Sequence, residues 1–517
     1  MRILLINPTI TGEPEPLHIG LACLASYIHI HSLHEAKVLD FVYSRNAWRA
    51  RLREAIERFG PDIVGIYVSN PYFPSVKEIV DEVKRIDTHM PVLAGGHHAT
   101  LAPEDVISHG NIDMLVVGEG EEAMVLLLDA LESDGPLEEV PGLWWRKGDG
   151  IERNPMGEPL DVDEIPDIDW GVYDEEVIRN YLFFFGILPV MASRGCPYSC
   201  AYCAIPDVQR LYGGKRFFRL RDPVTVVDEI ERQYERYGAL GMRVVFFYDL
   251  NFLIDHAWVK RFVEEYKRRG LNERLKWSAF SRADHINREV LDTLRDSGCI
   301  HLRIGIESAN EHMRNHIYDK RLPQDALEEG MRLLAGSGIS TTGYFIVGGP
   351  GERPEWLLES LTFSIEHDIE HPVFFLYKAL AGTRAYETAE EYGSTIDDES
   401  LNVSSDYLRG IHLEHEHITR NQIMAFTLMT RILFGTRTVL SHIRRDGPAF
   451  FTRMVRYIYR GLRLGLGPYE SFMYFVMYGY DHLSAPIATG RGRAAKVFYR
   501  ASVRMVSGIM VLLGPWS

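Results

Sequence analysis

Short apolar runs alternate with amphipathic stretches through the first 135 residues of this 517-residue chain. Strand-like runs fall at Ile3–Ile6, Val38–Phe41, Ile63–Val68, Val92–Ala94 and Met114–Val117, with helical spacing between them, as in Val76–Ile86. That alternation predicts an α/β domain with a doubly wound parallel sheet. Residues 136–180 change character. Val140-Pro141-Gly142, Asn154-Pro155 and Ile165-Pro166-Asp167 break regular structure, and an ordered strap is expected there. From 181 to 385 the alternation returns. Runs ending near Ala192, Tyr248, Phe280, Ile306, Val347 and Leu376 predict six βα units, a partial barrel. Residues 386–517 read as helical.

Chemistry-bearing residues collect at the ends of these runs. Val190–Ala192 leads into Cys196, Cys200 and Cys203, three of only five cysteines. Three thiolates in eight residues suit three irons of a [4Fe–4S] cube and leave one iron open, whereas an electron-transfer cluster is normally closed by four. A zinc site would need a fourth ligand, and no second cysteine pair is present. Cys23 and Cys299 sit in apolar surroundings and read as core residues. Five scattered cysteines make no disulfide framework. Other strand ends carry Asp249 and Asn251, Arg282, Glu307-Ser308, and Gly348 to Glu352.

The cysteine spacing, with Tyr202 just before the last cysteine, resembles the signature of the radical S-adenosylmethionine (SAM) superfamily. The first 135 residues resemble the cobalamin-binding, Rossmann-like domain often fused ahead of it. They carry Asn7-Pro8, Pro16-Leu17-His18-Ile19-Gly20-Leu21-Ala22, Gly95-Gly96-His97-His98-Ala99 and Gly118-Glu119-Gly120-Glu121. The Asp-x-His-x-x-Gly motif of cobalamin enzymes with a lower histidine ligand is absent. His18 is the alternative ligand, but its position suits a plain helix-start histidine better. The resemblance implies a [4Fe–4S] cluster on Cys196, Cys200 and Cys203, with SAM and cobalamin as further cofactors. It implies a cobalamin pocket at Ser69, Gly95, Gly96 and His98. It places Tyr202 beside the cluster, Glu307 and Ser308 at the SAM ribose, and Arg282 and Ser278 at the methionine carboxylate. Gly348 to Glu352 would let backbone pass the adenine, or would form a plain strand-to-helix turn.

The resemblance further implies C-methylation of an unactivated carbon, through a 5′-deoxyadenosyl radical and methylcobalamin, with flavodoxin or ferredoxin as electron donor. The alternative within the same architecture is a ring-forming or rearranging enzyme, like the anaerobic cyclases of chlorophyll synthesis. A non-catalytic cobalamin or iron sensor is the alternative outside it, although a sensor would have no need of Glu307, Ser308 and Arg282. A methylthiotransferase would need a second cysteine trio.

Charge adds one feature. The net charge is −16, yet from Arg437 onward twelve Lys/Arg stand against three Asp/Glu. In Phe451–Arg463 the arginines at 453, 456, 460 and 463 flank an apolar face of Met454, Val455, Ile458 and Leu462, and Lys496, Arg500 and Arg504 repeat the spacing. Two readings stand: a helix lying in a membrane interface, which would suit a lipid, isoprenoid or tetrapyrrole substrate, or a cap over the barrel. Met505 to Trp516 is apolar but too short to span a bilayer. No nucleic-acid motif accompanies the charge. The N-terminal run reads as a buried strand rather than a signal peptide, so a cytoplasmic protein is expected, with peripheral contact at the inner face of the membrane as the further option.

Overall fold

A computed structural model describes residues 1–10, 17–214, 217–392, 394–396, 413–464, 505–506 and 508–510. Its first sheet has seven strands: β1 (Arg2–Asn7), β2 (Glu35–Asp40), β3 (Ile63–Tyr67), β4 (Val92–Gly95), β5 (Met114–Val116), β6 (Leu143–Lys147) and β7 (Gly150–Arg153). Their order is β2-β1-β3-β4-β5-β6-β7. The first five are parallel, and β6 and β7 add an antiparallel hairpin. Alternate side chains of β1 feed two cores. Ile3 and Leu5 face helices Ile19–His31 and Glu121–Ser133, while Leu4 and Ile6 face helices Trp48–Phe59 and Phe73–Ile86. Burial on both faces explains why these strands read as continuous apolar runs.

The hairpin lies within the segment read from sequence as an ordered connector. It covers the open edge of β5, and its adjacent tryptophans point to opposite faces, Trp145 into one core and Trp144 against the other. The strap that follows is ordered. Trp170 is fully buried. Asp169 N donates to Ser26 Oγ (2.8 Å) and His18 N to the Tyr173 hydroxyl (3.0 Å). One apolar cluster therefore runs from the first sheet through the strap into the second.

The second sheet is a six-stranded, all-parallel partial barrel. It comprises β8 (Ile187–Val190), β11 (Val244–Phe247), β12 (Lys276–Arg282), β13 (Cys299–Glu307), β14 (Ser340–Val347) and β15 (His371–Leu376), each hydrogen-bonded to the next in chain order. A short antiparallel pair absent from the sequence reading, β9 (Ser193–Arg194) with β10 (Arg219–Leu220), sits on its rim. Phe247 and Trp277 pack outward, Phe247 meeting Phe262 of helix His256–Arg268 at 5.3 Å. Phe246, next to Phe247, and Phe280, three residues beyond Trp277, fall on the inward face.

Helix Arg420–Asp446 lies on β15, with the Phe426 ring 5.2 Å from Phe374. Helix Pro448–Arg463 packs back on helix Glu175–Phe185: Tyr457 meets Phe183 at 5.1 Å, and Arg460 Nη2 donates to Asn180 Oδ1 (2.8 Å). These helices cap the barrel wall. Val455, Tyr459 and Leu462 nonetheless face outward. Lys496, Arg500 and Arg504, and most of the apolar end from 505 to 516, lie outside the described residues. Among the described residues no helix is long and apolar enough to cross a membrane.

Candidate active site between the two sheets

The cysteine loop leaves the top of β8 and is held from three sides. Asp249, at the end of β11, accepts hydrogen bonds from Ala192 N (3.1 Å) and the Ser193 hydroxyl. Burial pushes its carboxyl up to about 6. Asp249, one of the strand-end residues picked out from sequence, is 2% exposed and braces the loop. Gly195 has φ +80°, and a Cβ there would lie 2.3 Å from the Phe217 carbonyl, so only glycine makes this turn. Farther on, Ala201 N donates to the Tyr318 carbonyl (2.8 Å) and Cys203 N to that of Cys200 (3.2 Å).

Cys200 is buried and Cys196 and Cys203 are half-buried, all as free thiols. Burial pushes Cys196 upward and Cys203 to about 12, which a bound cation would reverse. Among the described residues no three His, Cys, Asp or Glu are gathered closely enough to hold one ion. A cube spreads its ligands over separate irons, and three thiols in one loop suit that arrangement. Cys23 and Cys299 belong to the core, as expected.

Beside the loop stands a triad that spacing alone did not reveal. Glu307 Oε1 accepts from the Tyr202 hydroxyl (2.9 Å) and from Lys320 Nζ (2.9 Å); Lys320 Nζ also reaches the Tyr202 oxygen (3.1 Å). Oε2 of Glu307 has no partner among the described residues. Glu307 holds φ +67°, a costly conformation for a residue with a side chain and one that clusters at functional positions. Ser308 accepts from Asn310 N (3.2 Å), so its hydroxyl also shapes the turn.

Arg282 and Ser278, paired in the sequence reading, have different surroundings here. Arg282 is already gripped at two points by Asp284 (3.0 and 2.9 Å), donates to the Lys320 carbonyl (3.2 Å), and lies 3.9 Å over the Tyr198 ring of the cysteine loop. It steadies the loop and is not an open carboxylate fork. Ser278 shares the inward face of β12, but four residues of strand separate it from Arg282 by about 13 Å. Ser278 is fully buried, its hydroxyl lacking a hydrogen-bond partner.

The turn after β14 carries a buried acid. Glu352 is 1% exposed, and burial pushes its carboxyl up to about 8. Its Oε1 and the buried Tyr318 hydroxyl both lack hydrogen-bond partners. Orphaned polar atoms in this wall mark a place made for another group.

Across the gap, the ends of β3 and β4 form a shallow cradle. Ser69, Gly95 and Gly96 are half-exposed there, and a Cβ on Gly95 would meet nothing within 4 Å. The Tyr67 hydroxyl lies 3.3 Å from His97 Nδ1, and the His18 ring 4.1 Å from Tyr67. His18 Nδ1 accepts from Leu21 N (3.1 Å), the helix-start role expected of it, and burial holds its imidazole down to about 4. His98 does not face the cradle. It is 3% exposed, bonded to Asp105 (2.8 Å) and edge-on to Phe73. One residue of helix turns its side chain into the core and leaves His97 outside.

The Gly118–Glu121 run bridges the two sheets. Glu121 is ion-paired with Arg194, two residues before Cys196. Burial opposes the Glu121 charge, and Arg194 overrides it, holding the carboxyl below its ordinary value. Glu119 is ion-paired with Arg219 and accepts from Leu160 N (2.8 Å), while its own N–H donates to the Tyr212 hydroxyl (2.8 Å). Helix His97–Leu101, which follows the cradle glycines, packs on helix Ile205–Leu211, which follows Cys203. Cradle and cysteine loop thus face one another.

Comparison with known proteins agrees with this layout. The Radical SAM superfamily pattern matches residues 190–364, and the B12 binding domain pattern matches residues 9–128. An uncharacterized methyltransferase of Pyrococcus horikoshii is 29% identical over 402 residues, covering 75% of this chain and 83% of that protein. The anaerobic magnesium-protoporphyrin IX monomethyl ester cyclase of Cereibacter sphaeroides is 27% identical over 475 residues, covering 88% and 73%. The radical SAM methyltransferase TsrM of Kitasatospora setae, solved with cobalamin and a [4Fe–4S] cluster, has a similar fold: TM-score 0.64 at 21% identity, covering 77% of this chain and 75% of that one.

The chain is a radical SAM enzyme with a B12-binding domain, and its cofactors are a [4Fe–4S] cluster, SAM and cobalamin. The residues present fit these groups: three free thiols on one braced loop, a wall with orphaned polar atoms, and a glycine cradle facing both.

Proposed function

We propose that this radical SAM enzyme with a B12-binding domain methylates an unactivated carbon of a hydrophobic substrate. One observation carries the reading: the cradle at Gly95 and Gly96 is held against the cysteine loop by Glu121–Arg194, Glu119–Arg219 and the contact between helices His97–Leu101 and Ile205–Leu211. A substrate carbon placed between them lies within reach of both cofactors. In this reading residues 1–135 hold cobalamin, 136–180 join the halves, 181–385 carry the radical chemistry and 386–517 cap it.

When bound, the cluster and SAM supply a radical that abstracts hydrogen, and cobalamin supplies a methyl carrier. The chain's own residues position and exclude. Cys196, Cys200 and Cys203 hold the cluster and leave one iron open. Glu307 turns its free Oε2 toward the ribose hydroxyls, with Tyr202 and Lys320 fixing Oε1. Glu352 and the Gly348–Gly349 backbone would line the wall beside the adenine. Ser69, Gly95 and Gly96 let the corrin approach the backbone. Asp249, Arg282 and Tyr198 keep the loop rigid, which matters because a misplaced radical consumes the protein. The one-electron donor is a small flavodoxin- or ferredoxin-type protein, and the outward stripe of Val455, Tyr459 and Leu462 beside basic residues fits peripheral contact with a membrane.

The long match to a cyclase supports a second reading, ring formation on the same scaffold without methyl transfer. The readings separate by product. Anaerobic reconstituted enzyme, given an accepted substrate, yields 5′-deoxyadenosine together with S-adenosylhomocysteine if it methylates. A ring-forming enzyme yields 5′-deoxyadenosine alone, and that result rejects methylation.

A further inference from the structure

The segment between β13 and helix Gln324–Ser337 is held in a conformation that its own backbone resists. Glu307, Asp319 and Arg321 have φ of +67°, +45° and +52°, and a single π-helical turn, Met313–Ile317, interrupts the segment. Left-handed backbone is costly for residues with side chains and persists only where the surroundings enforce it. Between Asp319 and Arg321 lies Lys320, which is 3% exposed. Its Nζ reaches Glu307 Oε1 and the Tyr202 hydroxyl, so the shape of this segment decides whether that contact forms.

The fully buried Arg314 supplies the enforcement. Its Nη1 donates to the carbonyls of Ser308 (2.9 Å) and Ala309 (3.1 Å), where the segment begins. Its Nε donates to the Leu322 carbonyl (2.9 Å) and its Nη2 to Gln324 Oε1 (2.7 Å), where the segment ends. One guanidinium therefore ties both ends together. Its own backbone carbonyl accepts from Lys320 N (3.1 Å), which fixes the height of that residue as well. Asn315 forms a smaller latch beside it: its side-chain amide accepts from Leu322 N (2.8 Å) and donates to Leu322 O (2.9 Å). A planar fork with five N–H donors can serve four acceptors at once, whereas a lysine ammonium is a single point. Losing the fork would leave buried carbonyls without donors and release the strained turn.

We propose that Arg314 is a positioning residue for SAM, a buckle that closes the segment from Ser308 to Gln324 and thereby holds Lys320 on Glu307. It touches neither cofactor nor substrate and acts through Lys320 alone. The inference rests on the reading that Glu307 faces the SAM ribose, and deepens it by naming what keeps that carboxylate in place.

The test is a double-mutant cycle read by equilibrium dialysis of SAM against the full-length, cluster-reconstituted protein, with iron content and cobalamin binding measured on the same samples. Arg314→Lys, which keeps the charge and loses the fork, is expected to weaken SAM binding at least about 10-fold, with iron and cobalamin unchanged. In the Lys320→Met background the same change should add less than about 3-fold, because two residues acting through one contact are not additive. Asn315→Ala removes only the smaller latch and guards against a variant that does not fold. It should cost about 3-fold alone and nothing further beside Lys320→Met. Unchanged SAM affinity in Arg314→Lys, multiplicative losses in the double variants, or a loss of iron and cobalamin in step with SAM each overturns the assignment. Glu307→Gln separates the two readings. Unchanged SAM affinity there removes the ribose role of Glu307, and the buckle's role in SAM binding with it. Lost affinity there, with none lost in Arg314→Lys, overturns the buckle alone.

Discussion

Glu121, the first residue of helix Glu121–Ser133, forms a buried ion pair with Arg194, two residues ahead of Cys196. The two are 5% and 15% exposed. The pair ties the cofactor-bearing end of one sheet to that of the other, so it controls alignment as well as stability.

Removing one partner leaves a buried charge unmatched. Glu121→Ala should destabilise the protein by about 3–5 kcal/mol in denaturant unfolding. Removing both, in Glu121→Gln with Arg194→Met, should cost less than the sum of the single changes. Strictly additive effects would mean the pair does not form.

Lys320 and Tyr202 hold one oxygen of Glu307. Lys320→Met should weaken SAM binding by about 10- to 100-fold with iron content unchanged, because a charge-assisted hydrogen bond to the Glu307 carboxylate is lost. Tyr202→Phe should have a smaller effect. Equilibrium dialysis against SAM on reconstituted protein measures both, and unaltered affinity in Lys320→Met would remove this residue from the site.

Glu352 gives stability a pH slope. Its folded carboxyl lies near 8, above the ordinary value of 4.5, so the folded state binds more protons in that window. The contribution is full below about 4.5 and is lost as pH rises towards 8. Glu352→Gln should therefore match the wild type near pH 5 and exceed it by about 1–3 kcal/mol near pH 8.5. Thermal unfolding of the apoprotein across that range is the measurement, and parallel curves would contradict it.

The cysteines divide cleanly. Cys196→Ala, Cys200→Ala and Cys203→Ala should each reduce reconstituted iron from about four per chain to below about one. Cys23→Ala and Cys299→Ala should leave it near four. Loss of iron in either core variant would mean that a fourth thiolate closes the cluster.

Much of this was legible from residue order. Strands buried on both faces write themselves as apolar runs, and a cofactor site at strand ends collects its residues just after each run. That is why the cysteines, Glu307 and Gly95-Gly96 were found. Lys320 was not, because it reaches Glu307 from an irregular turn that follows no period. The Arg194–Glu121 pair spans 73 residues and belongs to no repeat. His98 and His97 differ by one position, and only the helix orientation decides which faces the cradle. Ser278 and Arg282 lie on the correct face of β12, but a face does not report height along a strand.

The central claim is that SAM-derived methyl groups pass through the cobalamin cradle. The direct measurement uses anaerobic, cluster-reconstituted, cobalamin-loaded protein with a chemical reductant and SAM carrying a trideuterated methyl group, followed by mass spectrometry of the corrinoid. The account predicts S-adenosylhomocysteine and trideuteromethyl label on the corrinoid, both lost when a bulky side chain fills the cradle in Gly95→Trp. Formation of 5′-deoxyadenosine with no label on the corrinoid or on any product would contradict it.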